Sequence, residues 1–416
     1  MKGNSARGVF IRIPYGGNGG AIRCSGNSSP TINNCIISGN TAEYAGGGLY
    51  CDTDSSPTVT NCTISDNHAT GLHHFGEGGG LYLSGGSRAI ISNCTISGNK
   101  ASSQGGAVGG YHSRPVLSNC IITGNYAGDL GGAIYVATPL SGQAINNCTI
   151  SNNAAGSCGG GIFRSDGSGR TTIRNCIIWA NTAPQGPQLG IATHSFQPAP
   201  QGTQLGIYAH SFQPEVVVAY SDIQGGAEAA YQAADCLLNW LPGSIDAEPM
   251  FAREGHWADA NDPGAIVEPN DPNAIWADGD YHLKSQGWRW EPKRKIWTWD
   301  DVTSRCIDAG SPGSPLGDEL IIVAGDPDGR WGQNLRINMG AYGGTAEASM
   351  APYGWALLAD LTNDGIVDFR DFGLQAAGWL TSVNQQAGDL NRNHVVDSTD
   401  FALLVDDWLI QTTWYQ

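Results

Sequence analysis

The sequence predicts an all-β fold with a small helical appendix. Its parts are a right-handed parallel β-helix solenoid over residues 1–226, a β/irregular capping region over 227–350 and a small all-α module over 351–416. Three observations predict this. One phrase built on Asn-Cys-x-Ile recurs through the first half. A row of paired glycines alternates with it. Near the end, one acidic pattern occurs twice, 29 residues apart, from Asp360 to Asp389.

The first phrase reads Asn34-Cys35-Ile-Ile37, Asn61-Cys62-Thr-Ile64, Asn93-Cys94-Thr-Ile96, Asn119-Cys120-Ile-Ile122, Asn147-Cys148-Thr-Ile150 and Asn175-Cys176-Ile-Ile178. An Asn follows each Cys by five positions. Cys and Ile two apart share one face of a strand. Repeats of this length mean a solenoid or a propeller, and the steps are too short for WD-type blades. The spacing allows about three short strands and three turns per coil, stacked about 4.8 Å apart. Cys35 through Cys176 should form one inward column, with Cys24 and Cys51 in a second. The asparagines five after each Cys should form a hydrogen-bonded ladder at a left-handed bend. Buried cysteine behaves as a small hydrophobe, and stacked side chains point alike, which disfavours a bridge; free thiols are expected. Pro184 to Pro198 recurs with changes at 200–214, a duplication expected to add strand–loop pairs or to hang as a bulge. Val216 to Ile223 reads as the final strand.

Residues 227–350 have no period and are rich in Trp and in Asp-Pro turns. The tryptophans are expected to pack the cap, with sugar stacking as the alternative. The acidic run from Asp259 to Asp280 reads as a solvated loop rather than an ion site.

The acidic pattern runs Asp360, Thr362, Asp364, Ile366, Asp368, Asp371, then Asp389, Asn391, Asn393, Val395, Asp397, Asp400. These are positions 1, 3, 5, 7, 9 and 12 of a 12-residue loop. Calcium takes six to eight oxygen ligands, and position 7 supplies a backbone carbonyl, so Ile366 and Val395 are free to be apolar. Gly365 stands at the sharp turn, and His394 replaces it in the second copy. Phe372, Leu374, Trp379 and Leu380 after the first loop match Phe401, Leu403, Trp408 and Leu409 after the second. A short helix after each loop should carry them to a shared core.

Residues 351–416 resemble the type I dockerin family, two EF-hand-like loop–helix motifs in one small module. The resemblance implies two calcium ions, export, and binding to a cohesin domain of a scaffold or surface protein. Family dockerins contact cohesin near loop positions 10 and 11. Ser398-Thr399 is similar to the usual pair and Phe369-Arg370 is not, so one binding face is expected to dominate. Phrases such as Asp280-Tyr-His282-Leu and Asn338-Met-Gly-Ala-Tyr342-Gly resemble the closing region of bacterial surface β-helix proteins of the choice-of-anchor type. That resemblance implies a seal over the open end of the coil, where bare strand edges invite aggregation.

Acidic residues outnumber basic ones, 38 to 21, for a net charge of −17. No basic face suits a nucleic acid, and no apolar stretch is long enough for a membrane span. Met1-Lys2-Gly3-Asn4 leads into no apolar signal core, and the start falls inside a repeat. The chain is therefore expected to be a fragment of a longer precursor, located outside the cell or at its surface.

Parallel β-helices host many polysaccharide lyases and glycoside hydrolases, but fold alone confers no activity. Hydrolases need paired carboxylates at set separations, and residues 1–226 offer no such pair. His68, His73, His74, Glu77, His112, Arg114 and Asp129 fall in or beside turns and are the catalytic candidates for a lyase. Two classes stay open for the coil: an enzyme acting on carbohydrate, and a non-catalytic adhesin that holds it.

Overall fold

The computed structural model describes residues 5–7, 10–11, 16–71, 76–138, 142–167, 169–192, 213–319, 334–380 and 387–415. The second copy of the duplicated segment falls almost wholly outside them, as do His73 and His74.

A full coil has four short strands, not three. Thr58–Thr60, Thr63–Ser65, His68–Ala69 and Leu81–Leu83 make one coil, and each pairs in parallel with its counterparts above and below. Among the described residues the four faces hold nine, eight, six and eight strands. The extra corner comes from the asparagine before each Cys. Asn34, Asn61, Asn93, Asn119, Asn147 and Asn175 all have φ between 49° and 53°, a left-handed conformation that Asn tolerates. Each splits what reads as one strand into two. The next left-handed residue stands four after the Cys, at Gly39, Asp66, Gly98, Gly124, Asn152 and Ala180, not at the asparagine five after it.

Those later asparagines point inward and form the expected ladder. The Nδ2 of Asn40 donates to Asn67 Oδ1 at 2.9 Å, and the same bond links Asn67 to Asn99, Asn99 to Asn125, Asn125 to Asn153 and Asn153 to Asn181. Gln188 accepts the last amide at 2.7 Å and passes its own to Gln224 at 3.0 Å. A buried amide left unpaired costs about 1–3 kcal/mol, so the row specifies one register. Beside it runs the apolar core, with Ile37, Ile64, Ile96, Ile122, Ile150 and Ile178 all fully buried. Burial of such a side chain contributes about 1.5–3 kcal/mol. Cys35 to Cys176 form the inward column, Cys24 pairs in register with Cys51, and all eleven cysteines are buried free thiols. The glycine pairs have a steric reason: a Cβ on Gly47, Gly79, Gly106 or Gly132 would stand 2.2–2.5 Å from a carbonyl oxygen of the next coil.

The solenoid runs past its expected last strand. Tyr231–Gln232 and Leu237–Trp240 add to the fourth and first faces, and Cys236, Leu238 and Trp240 join the end of the core. The closing region does not simply seal this end; it also lies along the flank of the coil. Lys100 Nζ donates to Ala274 O at 3.0 Å, and Trp276 lies with its Cβ over Gly98 and its ring over Gly124. Ile177, Ala219 and Tyr220 share a second core with Phe251, Tyr281, Leu283, Cys306 and Met339. Tryptophans mostly pack here, Trp257 edge-on to Trp276 at 5.5 Å and Trp290 edge-on to Trp297 at 5.5 Å, while Trp299 is exposed.

Two helices close the chain, α1 (Phe369–Ala377) and α2 (Ser398–Asp406). Their shared core is Ala359, Leu361, Val367, Leu390 and Leu404, with Leu374, Leu403 and Trp408 at its edge. Only part of the expected apolar set goes inward. Phe372, Trp379, Leu380, Phe401 and Leu409 are exposed, and Phe372 meets Phe401 at 5.6 Å on the outer face.

Candidate functional site

The two acidic loops fold alike. In the first, Asp360 accepts the backbone N–H groups of Asp364 and Gly365 at 3.2 and 2.8 Å. In the second, Asp389 accepts those of Asn393 and His394, both at 2.9 Å. Asp371 and Asp400 each accept the N–H of loop position 3 at 3.0 Å and that of position 9 at 2.8 and 2.9 Å. Gly365 and His394 both have positive φ, 94° and 72°. Positions 9 and 12 also act as helix caps: Asp368 with Asp371, and Asp397 with Asp400, form capping boxes for α1 and α2. Thr362 donates its hydroxyl to Asp360 and Asp371, so its oxygen stands inside the first loop. Ser398 and Thr399 are exposed, and Thr399 Oγ1 accepts from Asn391 at 2.6 Å.

The loops differ in what faces their acids. Arg370 Nη1 stands 2.6 Å from Asp364 Oδ2, and its other nitrogens hold Asp368. That Asp364 oxygen is buried, and the guanidinium is what faces it. Burial, with Asp371 and Asp364 close by, pushes Asp360 up to about 6 despite the Arg336 charge. An oxygen-only donor set in which Asp371 and Asp364 crowd Asp360 fits a hard divalent cation. Asp360, Thr362, Asp364, Asp368, Asp371 and the Ile366 carbonyl would hold it in the first loop. Asp389, Asn391, Asn393, Asp397, Asp400 and the Val395 carbonyl would do so in the second. Among the described residues no group of three or more His, Cys, Asp or Glu side chains converges as a metal cluster.

Position 4 of each loop plugs into the closing region, which the sequence did not foretell. Asn363 Nδ2 donates to Gly243 O at 2.6 Å and Ala309 O at 2.8 Å. Arg392 donates to Pro312 O at 3.0 Å and Leu335 O at 2.6 Å. The fully buried Arg336 joins the same seam, donating to Ala309 O, Gly310 O and Asp360 O at 3.1, 2.9 and 2.6 Å.

The coil candidates fall at different corners. His68 begins a third-face strand beside Lys100, and burial followed by that charge pushes its pKa down. Glu77 and Asp129 mark the corner between third and fourth faces, with Glu77 bridged to Gln104 and Gln104 to Leu130. Burial raises Glu77, partly offset by Tyr82. His112 and Arg114 lie beyond the fourth face, where Arg114 packs near Gly142.

A groove of about 670 Å³ opens instead between the coil and the closing region. Its floor includes Asn61, Asn93, Thr95 and Asn119, and its wall includes Tyr342, Glu347 and Asp318. Behind the wall, His282 is fully buried and its Nδ1 lies 2.6 Å from Asp280 Oδ1. His282 Nε2 lies 3.4 Å from Glu347, and its ring stacks on Tyr342 at 3.6 Å. Burial pulls this histidine's pKa down, but the bonds to Asp280 and Glu347 outweigh it and the net shift is upward. The phrases holding Asp280-Tyr-His282 and Gly340-Ala-Tyr342 signalled these residues in the sequence, but not that they meet.

With the coil and its corners in view, comparison with known families is decisive for the fold. The model described as the right-handed β-helix region matches residues 3–79 and 22–217, together just over half of the 416 residues. The chain belongs to the right-handed β-helix family. No curated protein and no solved structure matches it. Among the described residues of this β-helix protein, no helix is long and apolar enough to cross a membrane.

Proposed function

We propose that this β-helix protein works outside the cell or at its surface, contacting polysaccharide through the coil side and held there by a calcium-dependent, dockerin-like module. The observation that carries the docking half is the identity of the two loops. Residues 29 apart repeat the same backbone wiring, and their helices turn Phe372 and Phe401 outward together. One calcium ion in each loop would fix the two helices as a single face for a cohesin domain of a scaffold or surface protein. The non-catalytic, adhesive form of the reading is favoured because the described coil candidates divide among three places: His68 on the third face, Glu77 and Asp129 at its corner with the fourth, and His112 and Arg114 beyond the fourth.

The test is titration of the full chain with calcium, followed by binding to a panel of cohesin domains with calcium and with chelator. Two calcium-binding events and chelator-sensitive capture are expected. The pair Ser398→Ala/Thr399→Ala should weaken capture more than Phe369→Ala/Arg370→Ala; the opposite ranking would assign the face to α1. Absence of calcium binding by folded protein would remove the docking half. Release of reducing ends or unsaturated products from a polysaccharide panel would replace adhesion with catalysis.

A further inference from the structure

The left-handed asparagines before each Cys form an outward row, and the closing region covers only half of it. Asn175 and Asn147 are buried, Asn119 is half-buried, and Asn93, Asn61 and Asn34 are exposed. Over the covered half, residues 338–343 lie on the row as an internal ligand. Asn119 Nδ2 donates to Ala341 O and Gly343 O at 3.0 and 2.6 Å, and Asn147 Nδ2 to Asn338 O at 3.3 Å. Thr149 Oγ1 accepts the Ala341 N–H at 3.0 Å. The chain then turns away, and the same row continues as the floor of the open groove.

We infer that this open half, Asn61, Asn93 and Thr95 facing Tyr342 and Glu347, binds a single uncharged polysaccharide chain running along the coil. The inference rests on the polysaccharide reading above and gives it a site and a class. Coils repeat about every 4.7–4.9 Å, whereas an extended peptide repeats every two residues, at about 6.6–6.8 Å. A pyranose chain advances by nearly one coil per sugar, so each rung presents one amide to each ring. Amide and hydroxyl groups on the floor both donate and accept, which matches sugar hydroxyls. Glu347 and Asp318 line the wall, and no Lys or Arg stands among the described lining residues. That charge pattern repels uronate and sulfate chains and leaves neutral ones.

The experiment is affinity electrophoresis of the full chain through neutral polysaccharides (a β-glucan, a xylan, a mannan) and acidic ones (polygalacturonate, alginate), with an extended polar peptide as competitor. Two variants remove floor groups without straining the backbone. Asn93→Gly keeps the left-handed conformation accessible, and Thr95→Val keeps the strand; thermal melts confirm that each folds. Retention by a neutral polysaccharide, weakened about tenfold in each variant through loss of one hydrogen bond or so, is expected. Neutral retention untouched by both variants overturns the site but leaves polysaccharide contact standing. Retention by acidic chains alone overturns the class. Displacement by the peptide at equal strength assigns the groove to a protein segment, and absence of any retention removes the polysaccharide reading together with this one.

Discussion

The coil and the closing region solve the same problem, a buried polar interior, in opposite ways. Along its ladder the coil uses neutral groups and repeats them. Every ladder asparagine finds the next one, and every charge stays out of that row. The closing region uses single buried charges. Asp308, Glu319 and Arg336 are all buried, and each is held by a different set of partners. Asp308 accepts from Leu335 N at 3.2 Å and from Arg336 N at 3.3 Å. Glu319 accepts from Asn338 N and Gly344 N at 2.8 Å each. A repeated neutral contact spreads its stability along the coil, as in other solenoids. A unique buried charge concentrates it, and its loss leaves partners stranded.

The largest break should come at Arg336. Arg336→Ala strands the Ala309, Gly310 and Asp360 carbonyls and removes the cation over the Tyr220 ring, 5.6 Å away. Each buried carbonyl left without its donor costs about 1–3 kcal/mol. Hydrogen exchange should show lost protection around 306–319, 334–342 and 360–371, with the ladder coils unchanged. Equal loss in both regions would mean that they unfold as one unit and that the contrast is not energetic.

pH should separate the regions next. Burial pushes Asp308 up to about 7 and Glu319 up to about 8. For an acid whose folded pKa is raised, the folded state holds more protons than the unfolded one between the two values. Stability therefore falls as pH rises through that window. The contribution is fully present below the unfolded value, near 4, and is lost by about pH 8. His282, raised by its carboxylate partners, loses its contribution in the same direction. The closing region should be more stable at pH 5 than at pH 8 by a few kcal/mol, while exchange in the ladder coils, where Glu77 and Asp66 are raised less, changes less once corrected for intrinsic rate. Glu319→Gln should shrink the difference. A flat closing region would show that these acids titrate near their ordinary values.

Within the coil, Asn99→Ala should cost about 1–3 kcal/mol by orphaning its ladder neighbours. Asn99 accepts from Asn67 and donates to Ile64 O and Asn125. Outside the ladder, Thr171 donates its hydroxyl to Gln143 at 2.7 Å, and Thr171→Val should cost less. Equal melting shifts for the two variants would remove cooperativity from the ladder.

The same contrast governs what the amino-acid sequence reveals. A repeat states each contact six times, so the Ile and Cys columns and the asparagine ladder were legible at once. The fourth corner was not, because a left-handed Asn leaves the hydrophobic alternation intact on both sides. The acidic loops were legible because spacing within one loop is local. The closing region states each contact once and across long separations: Asp222 to Cys306, Asn119 to Gly343, His282 to Glu347. No local pattern can encode such pairs. The groove belongs to this illegible kind, since its floor is repetitive but its wall arrives from more than 200 residues later.

The smallest effect sits where the two kinds of region meet the loops. Asn363 and Arg392 hold matching loop positions, both left-handed with φ of 58° and 57°, and both donate into the closing region. Glycine keeps that conformation, so Asn363→Gly and Arg392→Gly remove the anchors alone. Each should cost about 1 kcal/mol, the net worth of a typical hydrogen bond or two. If the loops take calcium, whatever orders a loop also favours its ion, so affinity should fall about fivefold per anchor at that cost. Asn363→Gly should weaken the first loop and Arg392→Gly the second, read by isothermal titration. Unchanged affinity in both variants would make the seam a packing contact only, and would leave residues 351–416 free to bind ions without regard to the coil that carries them.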